Sequence, residues 1–184
     1  MRKIIFSTNS TINGGADHTS GIADDELHNF YTDYLDNIDV VLMGRKTYEL
    51  MEGYWPVAHE DPQNTKSTLR FADKFNSVRK IIFTNKLKKV DWQNSVIAEE
   101  NLIEIVKRLK NEDGKNISAG SLSIASQLLN KNMIDEFWFL IHPIISNKGK
   151  RLFEEFDGMR NLKLMETRIF NSGVIVMHYQ KNEN

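Results

Sequence analysis

The feature that most constrains this chain is a rhythm of short apolar runs. Segments rich in β-branched and aromatic residues recur at positions 3–7, 40–43, 80–84, 95–98, 116–119 and 136–145, each bounded by polar or glycine punctuation. Runs of that kind read as strands buried on both faces. Helical patterns lie between them. Residues 24–37 open on an Asp cap and an acidic first turn, then place Leu27, Phe30, Tyr31, Tyr34 and Leu35 on one face. Residues 101–110 carry Leu102, Ile105, Val106 and Leu109 at helical spacing and end in cations, which suit the helix dipole. Residues 121–130 form a third such pattern. Strands alternating with helices predict an α/β fold with a largely parallel sheet covered on both faces. The rhythm breaks at the end, where 162–170, Asn171-Ser172-Gly173 and 174–180 spell strand, tight turn, strand, so an antiparallel hairpin closes the sheet. Residues 53–67, with two of the three prolines and no periodicity, read as a long loop. No domain boundary is visible, and 184 residues suit one core, so residues 1–184 form a single domain.

Composition narrows the function classes. The net charge is −1, so no global basic field recruits nucleic acid or anionic lipid. The absence of cysteine excludes a thiolate nucleophile, a disulfide framework and a Cys-based zinc site. The five histidines lack the spacing of a metal site, so no metal is expected. No run approaches the roughly 20 apolar residues of a membrane span, and the opening MRKIIFSTNST turns polar too soon for a signal peptide. The expected location is the cytoplasm.

Three strand ends carry chemistry. The apolar run Val40 to Met43 meets Gly44-Arg45-Lys46-Thr47 and then an amphipathic turn. Free backbone N–H groups at such a helix start can bind phosphate, with Gly44 allowing close approach, Arg45 and Lys46 adding charge and Thr47 a hydroxyl. Solvated cations on a surface loop fit the local pattern equally well. The spacing is neither GxxxxGK[ST] nor GxGxxG. A second junction, Gly120-Ser121-Leu122-Ser123, repeats the arrangement without a lysine. Alone it reads as a capped strand-to-helix turn. Two such junctions side by side at the carboxyl edge of a parallel sheet would suit a dinucleotide. Thr84 and Asn85 follow a third strand and could line an adenine or ribose-phosphate pocket, or form a plain loop. Asp24-Asp25-Glu26 fits dipole compensation, and a carboxylate there could instead relay a proton.

In order along the chain these pieces resemble the dihydrofolate reductase-like family, which includes the C-terminal reductase domain of the bifunctional riboflavin-biosynthesis deaminase/reductase. The stretch VVLMGRKTYE is similar to the glycine-arginine-threonine signature of dihydrofolate reductases. Ser10-Thr11-Ile12-Asn13-Gly14 resembles the element after the first strand. The set Ile134-Asp135-Glu136-Phe137, His142-Pro143-Ile144-Ile145 and Gly149-Lys150-Arg151-Leu152-Phe153 resembles the C-terminal signature. The resemblance covers nearly the whole chain. It implies a three-layer α/β/α fold with eight strands, NADPH as cofactor, a small heterocyclic substrate and a homodimer. Carried over, Gly44, Arg45, Lys46 and Thr47 would meet cofactor phosphates, and Thr84 and Asn85 would lie by the adenosine. Gly120, Ser121, Leu122 and Ser123 would cradle the pyrophosphate. Asn13 and Gly14 would belong to a mobile loop over the nicotinamide.

The chain departs from the pattern in places. The usual Gly-Gly is Gly120-Ser121, the loop aspartate is Asn13, and residues 15–23 lack the Pro-Trp of folate enzymes. The Asp-x-Pro of riboflavin reductases is replaced by GRKTY. The reading that follows is an NADPH-dependent oxidoreductase delivering hydride to a C=N bond. The broader family favours a 5-amino-6-(5-phosphoribosylamino)uracil reductase-like activity in riboflavin biosynthesis. The alternatives are dihydrofolate reductase-like pterin reduction and a nucleotide-binding module without catalysis. Glu26 or a water would supply the proton, and Phe30 or Trp55 could stack on the heterocycle.

Overall fold

Strand β1 (Ile4–Thr11) runs through the middle of an eight-stranded sheet in this computed structural model, which describes residues 1–182. Across the sheet the order is β5 (Ser95–Ile97), β4 (Arg79–Phe83), β3 (Ile38–Gly44), β6 (Asn116–Ala119), β1, β7 (Glu136–His142), β10 (Ile175–Lys181) and β9 (Leu162–Ile169). The strands from β5 to β7 pair in parallel, and β10 and β9 add an antiparallel edge. The hairpin expected at the C-terminus is therefore present. A short pair, β2 (Gly15–Ala16) with β8 (Lys150–Arg151), stands apart.

Strand alternation sends successive side chains to opposite faces and so builds two cores. On one face Ile4, Phe6, Leu42 and Ile117 pack with Ile105 and Leu109 of α4 (Leu102–Asn111) and with Ile124 and Leu128 of α5 (Leu122–Asn130). On the other, Ile5, Val41, Met43 and Ile82 meet Leu35 of α1 (Asp25–Asp36), Tyr48 of α2 (Arg45–Glu52) and Phe75 of α3 (Lys66–Ser77). A smaller cluster joins Leu27 and Phe30 to Leu140, Phe170, Val174 and Val176 under the hairpin. Helix starts follow their caps: Asp24 accepts from the Leu27 N–H, and Asn101 from the Glu104 N–H.

Three local features differ from the periodicity reading. Helix α3 goes unannounced because its inward face is partly polar: Ser67, Thr68 and Asn76 are buried beside Ala72 and Phe75. The stretch expected as a loop contains a 3-10 helix, Trp55–Glu60, opened by Pro56. Strand β1 continues past Ser7 to Thr11, since residues Ser7 to Thr11 find ladder partners from Trp138 to His142. Among the described residues no helix is long and apolar enough to cross a membrane.

Candidate active site

Adjacent strands β3 and β6 end in register, Leu42 opposite Ala119, so their glycine junctions lie side by side at the carboxyl edge of the sheet. The Gly120 N–H donates to Leu42 O (2.8 Å), and the Gly44 N–H donates to Ser121 Oγ (3.0 Å). Helices α2 and α5 thus start next to each other, and neither has a side-chain cap. Their first-turn N–H groups are left for an outside acceptor. The glycines serve the packing as well. A Cβ at Gly44 would sit 2.9 Å from Ser123 Oγ, and one at Gly120 would fall 2.6 Å from Val41 Cγ1. Close approach here is between the two junctions themselves, which the sequence alone could not show.

The neighbouring candidates take varied positions. Arg45 folds back on Glu49 in a salt bridge of 2.6 Å, while Lys46 is exposed and makes no salt bridge among the described residues. Thr47 lies half-buried in the first turn of α2. Thr84 and Asn85 follow Phe83, which pairs with Gly44, and so adjoin the first junction. Thr84 Oγ1 is engaged by its own turn, accepting from the Lys86 and Leu87 N–H groups, and Asn85 is exposed. Leu122 opens α5, and Ser123 stands exposed in its first turn.

The remaining candidates are held by protein contacts. Glu26, the expected proton donor, accepts from the Asn171 N–H (2.6 Å), so its carboxylate braces the β9–β10 turn. Phe30 is only 8% exposed and packs against Trp138, Phe170, Tyr31 and Tyr34, so its ring faces are taken by protein. Asn13 and Gly14, expected in a mobile loop, form a pinned turn. Asn13 Nδ2 donates to Ser146 O (2.8 Å), its Oδ1 accepts from Ser146 N–H (3.2 Å), and Gly14 takes φ +80° to make the bend. Trp55 is half-buried, edge-on to Phe71 at 4.6 Å, with its indole N–H on Met51 Sδ.

Beneath α1 the same edge holds a polar cluster that periodicity did not reveal. His142 is 1% exposed, and its Nδ1 accepts from the Ile22 N–H (2.9 Å). That bond fixes the neutral tautomer with hydrogen on Nε2, which donates to Asn9 Oδ1 (3.1 Å). Burial holds the His142 pKa below its ordinary value, with the Asp24 carboxylate opposing. Asn9 and Ser7 lie beside the Tyr31 hydroxyl, which burial pushes up to about 12 against their favourable dipoles. Ser7 Oγ is buried and without a hydrogen-bond partner. One turn along α1, the Tyr34 hydroxyl donates to Ser118 Oγ (2.9 Å), and burial raises its pKa as well. A readable signal did exist: an apolar strand that turns into Ser7-Thr8-Asn9-Ser10-Thr11 while staying inside the sheet. A groove of about 390 Å³ between Asn132, Met159 and Lys181 lies at the opposite edge and offers none of this chemistry.

Comparison with known proteins agrees with this fold. The chain is 33% identical over 188 residues to the uncharacterized protein YyaP of Bacillus subtilis (strain 168), covering 99% of this chain and 96% of that one. A putative riboflavin biosynthesis protein from Shewanella sp. PV-4 superposes with a TM-score of 0.71 at 14% identity, over 100% of both chains. A dihydrofolate reductase from Enterococcus faecalis, solved as a complex with NADP(H), gives 0.65 at 12% identity over 98% of this chain and 97% of that one. At such identities the superpositions establish the dihydrofolate reductase-like fold. Residues 2–176 match the RibD C-terminal domain across almost the full length, and the chain belongs to that family.

Proposed function

We propose that this protein is an NADPH-dependent reductase acting on a pyrimidine-type heterocycle. The observation that carries the reading is the pair of uncapped helix starts at Gly44 and Ser121, adjacent on strands β3 and β6. Their backbone N–H groups, with Lys46 and the Ser123 hydroxyl at the rim, match the acceptor-rich pyrophosphate of a dinucleotide. When bound, the nicotinamide would supply hydride. The chain's own work is to hold the phosphates at the Gly44 and Gly120 junctions, to seat the adenosine near Thr84 and Asn85, and to orient the heterocycle under α1. Arg45 would exchange Glu49 for a phosphate, a swap within one helical turn.

A pyrimidine is favoured over a pterin by the disposition of carboxylates. The amidine face of a pterin is matched by a free carboxylate. Here Glu26 is engaged by Asn171, and Asp25 accepts from Thr65 and Ser67, bonds that hold its pKa below the ordinary value. Beside them the neutral donors and acceptors of Asn9 and His142 suit the carbonyls of a uracil such as 5-amino-6-(5-phosphoribosylamino)uracil. Membership in the RibD C-terminal domain family supports the same choice. Homodimerisation belongs to this reading too, and the exposed apolar side chains of edge strand β9, Leu164 and Met165, suit it.

Calorimetric titration of NADPH and NADH into the wild type and Arg45→Ala tests the reading. The substitution should weaken NADPH by about 1.5–3 kcal/mol and NADH much less, as loss of a charge-assisted phosphate contact requires. Equal losses would remove Arg45 from the extra phosphate. Absence of binding for both nucleotides in the wild type would overturn the assignment.

A further inference from the structure

An asparagine can offer a ligand either end of its amide, because oxygen and NH2 exchange when the group turns over. At Asn9 one end is already taken. We propose that Asn9 selects a ring carbonyl of the substrate over a ring amino group, because His142 holds its amide with only the NH2 free. The inference rests on the reductase reading above and deepens it.

The orientation follows from donor and acceptor identities. The Ile22 N–H can only donate, so His142 Nδ1 accepts from it (2.9 Å), and the imidazole hydrogen lies on Nε2. Nε2 stands 3.1 Å from Asn9 Oδ1, so the oxygen is the end that meets the histidine. An imidazolium would carry a hydrogen on Nε2 as well. The direction of this bond is therefore independent of the charge on His142 and of the nearby Asp24 carboxylate, which caps α1 at the Leu27 N–H (2.8 Å). The ring is held in place too. His142 is buried, and Gly21 lies so close that a Cβ there would stand 3.5 Å from its Cε1.

Backbone pairing fixes where the free end lies. Asn9 pairs with Leu140 and Thr11 with His142 in the ladder between β1 and β7. By strand alternation Ser7, Asn9 and Thr11 share the α1 side of β1 with Ile5. Thr11 Oγ1 is used within its own turn, donating to Asn13 Oδ1 (2.8 Å) and accepting from the Gly15 N–H (3.0 Å). The Ser7 hydroxyl has no partner, and a hydroxyl rotates to give or to accept. Asn9 Nδ2 differs from both. It makes no hydrogen bond among the described residues, its residue is only half-buried, and it can do nothing but donate. A carbonyl oxygen satisfies that donor. An amino group sets two donors face to face, and the site rejects it. Asn9 is the recognition residue in this scheme, and His142 is a positioning residue.

The test uses the full-length protein with NADPH and three compounds. These are 5-amino-6-(5-phosphoribosylamino)uracil and its two counterparts carrying an amino group in place of one ring carbonyl or the other. The wild type should favour the uracil over at least one counterpart by about tenfold or more in kcat/KM. Asn9→Asp keeps the acceptor for His142 and replaces the NH2 with a second acceptor, so that preference should vanish or reverse. His142→Leu frees the amide to turn over and should bring the ratio to within about threefold of unity. His142→Gln, which offers Ile22 an acceptor and Asn9 a donor, should keep most of it. A purely structural role would lower all three rates together and leave the ratio alone. An unchanged ratio in Asn9→Asp overturns the proposal, as does a wild type that does not discriminate. If His142→Leu does not fold, Asn9→Asp still decides. If the wild type reduces none of the three, the reductase reading fails, and the NMR signal of the Asn9 side-chain amide decides this one. It should shift when the uracil is added, and a signal that stays in place overturns the assignment.

Discussion

At the amino edge of the sheet, charges meet their partners; at the carboxyl edge, polar groups are left with capacity to spare. Buried Arg2 binds the Asp39 carboxylate and the carbonyls of Lys115 (2.6 Å) and Leu109 (3.3 Å). Asp135 accepts from the Ile4 N–H and Lys110 (both 2.8 Å) and pairs with Lys181, while Lys3 reaches Glu136 at 2.5 Å. These contacts tie β1, β3, β7 and β10 where the parallel strands begin. At the opposite edge, α2 and α5 start uncapped, and the Ser7 and Ser10 hydroxyls are buried without partners. The difference teaches a division of labour. Charged groups paired at one edge hold the sheet together, and helix starts left uncapped at the other are available to a ligand, although the Ser95 hydroxyl is buried unpartnered at the amino edge as well.

Breaking the amino edge should have the largest effect. Arg2→Met leaves Asp39 and two carbonyls without their donor and should cost about 3 kcal/mol in urea unfolding, as removal of one partner of a buried pair does. Nucleotide affinity of the folded fraction should stay unchanged; a matching loss of affinity would mean the two edges are not separable.

Gly120→Ala attacks the carboxyl edge through packing. Its Cβ would fall 2.6 Å from Val41 Cγ1 and 3.1 Å from Leu42 O, so the two junctions must separate. Destabilisation of about 1–3 kcal/mol is expected, together with weakened NADPH binding by calorimetry. Full affinity in this variant would show that the spacing of the junctions does not matter to the nucleotide.

Lys80 sharpens the contrast as the amino-edge exception. Fully buried, it makes no salt bridge among the described residues. Its Nζ donates to the carbonyls of Asn76, Val78 and Gln93 and lies 4.2 Å from the Trp92 ring centre. Burial pushes its pKa down to about 7 from 10.5. The unfolded chain therefore holds this proton up to about pH 10 while the folded protein releases it near 7. Raising the pH through that window favours the folded state. Stability should rise by roughly 1–2 kcal/mol from pH 7 to 9, and Lys80→Met should lose that slope. An unchanged slope in the variant would mean that the three carbonyls keep the ammonium charged.

The smallest effect belongs to the surface. Lys107 and Glu104 pair at 3.1 Å on exposed α4, and Lys107→Ala should change stability by less than about 0.5 kcal/mol. A larger loss would show that exposed pairs share in holding the sheet.

Much of the fold was legible because strand burial and helix amphipathicity leave local periodic signals. The runs that became β3, β4 and β6, the Asp24 cap, and the hairpin turn at Asn171-Ser172-Gly173 all belong to that category. Helix α3 was illegible because Ser67, Thr68 and Asn76 face inward, and a polar buried face carries no hydrophobic period. The phosphate-type junctions were legible singly, as glycine followed by hydroxyls at a helix start. Their adjacency depends on the crossover that sets β6 between β3 and β1, which no local pattern encodes.

The sequence by itself determined a mostly parallel α/β sheet, its closing hairpin, its family and the pair of glycine junctions, because each is written in residues near one another along the chain. Only the tertiary structure decided that Glu26 braces a turn, that Phe30 is core, and that Asn9 and His142 meet beneath α1. Those outcomes depend on which distant backbone donor or ring arrives beside a side chain, and that is set by the packing of α1 and β7 on β1.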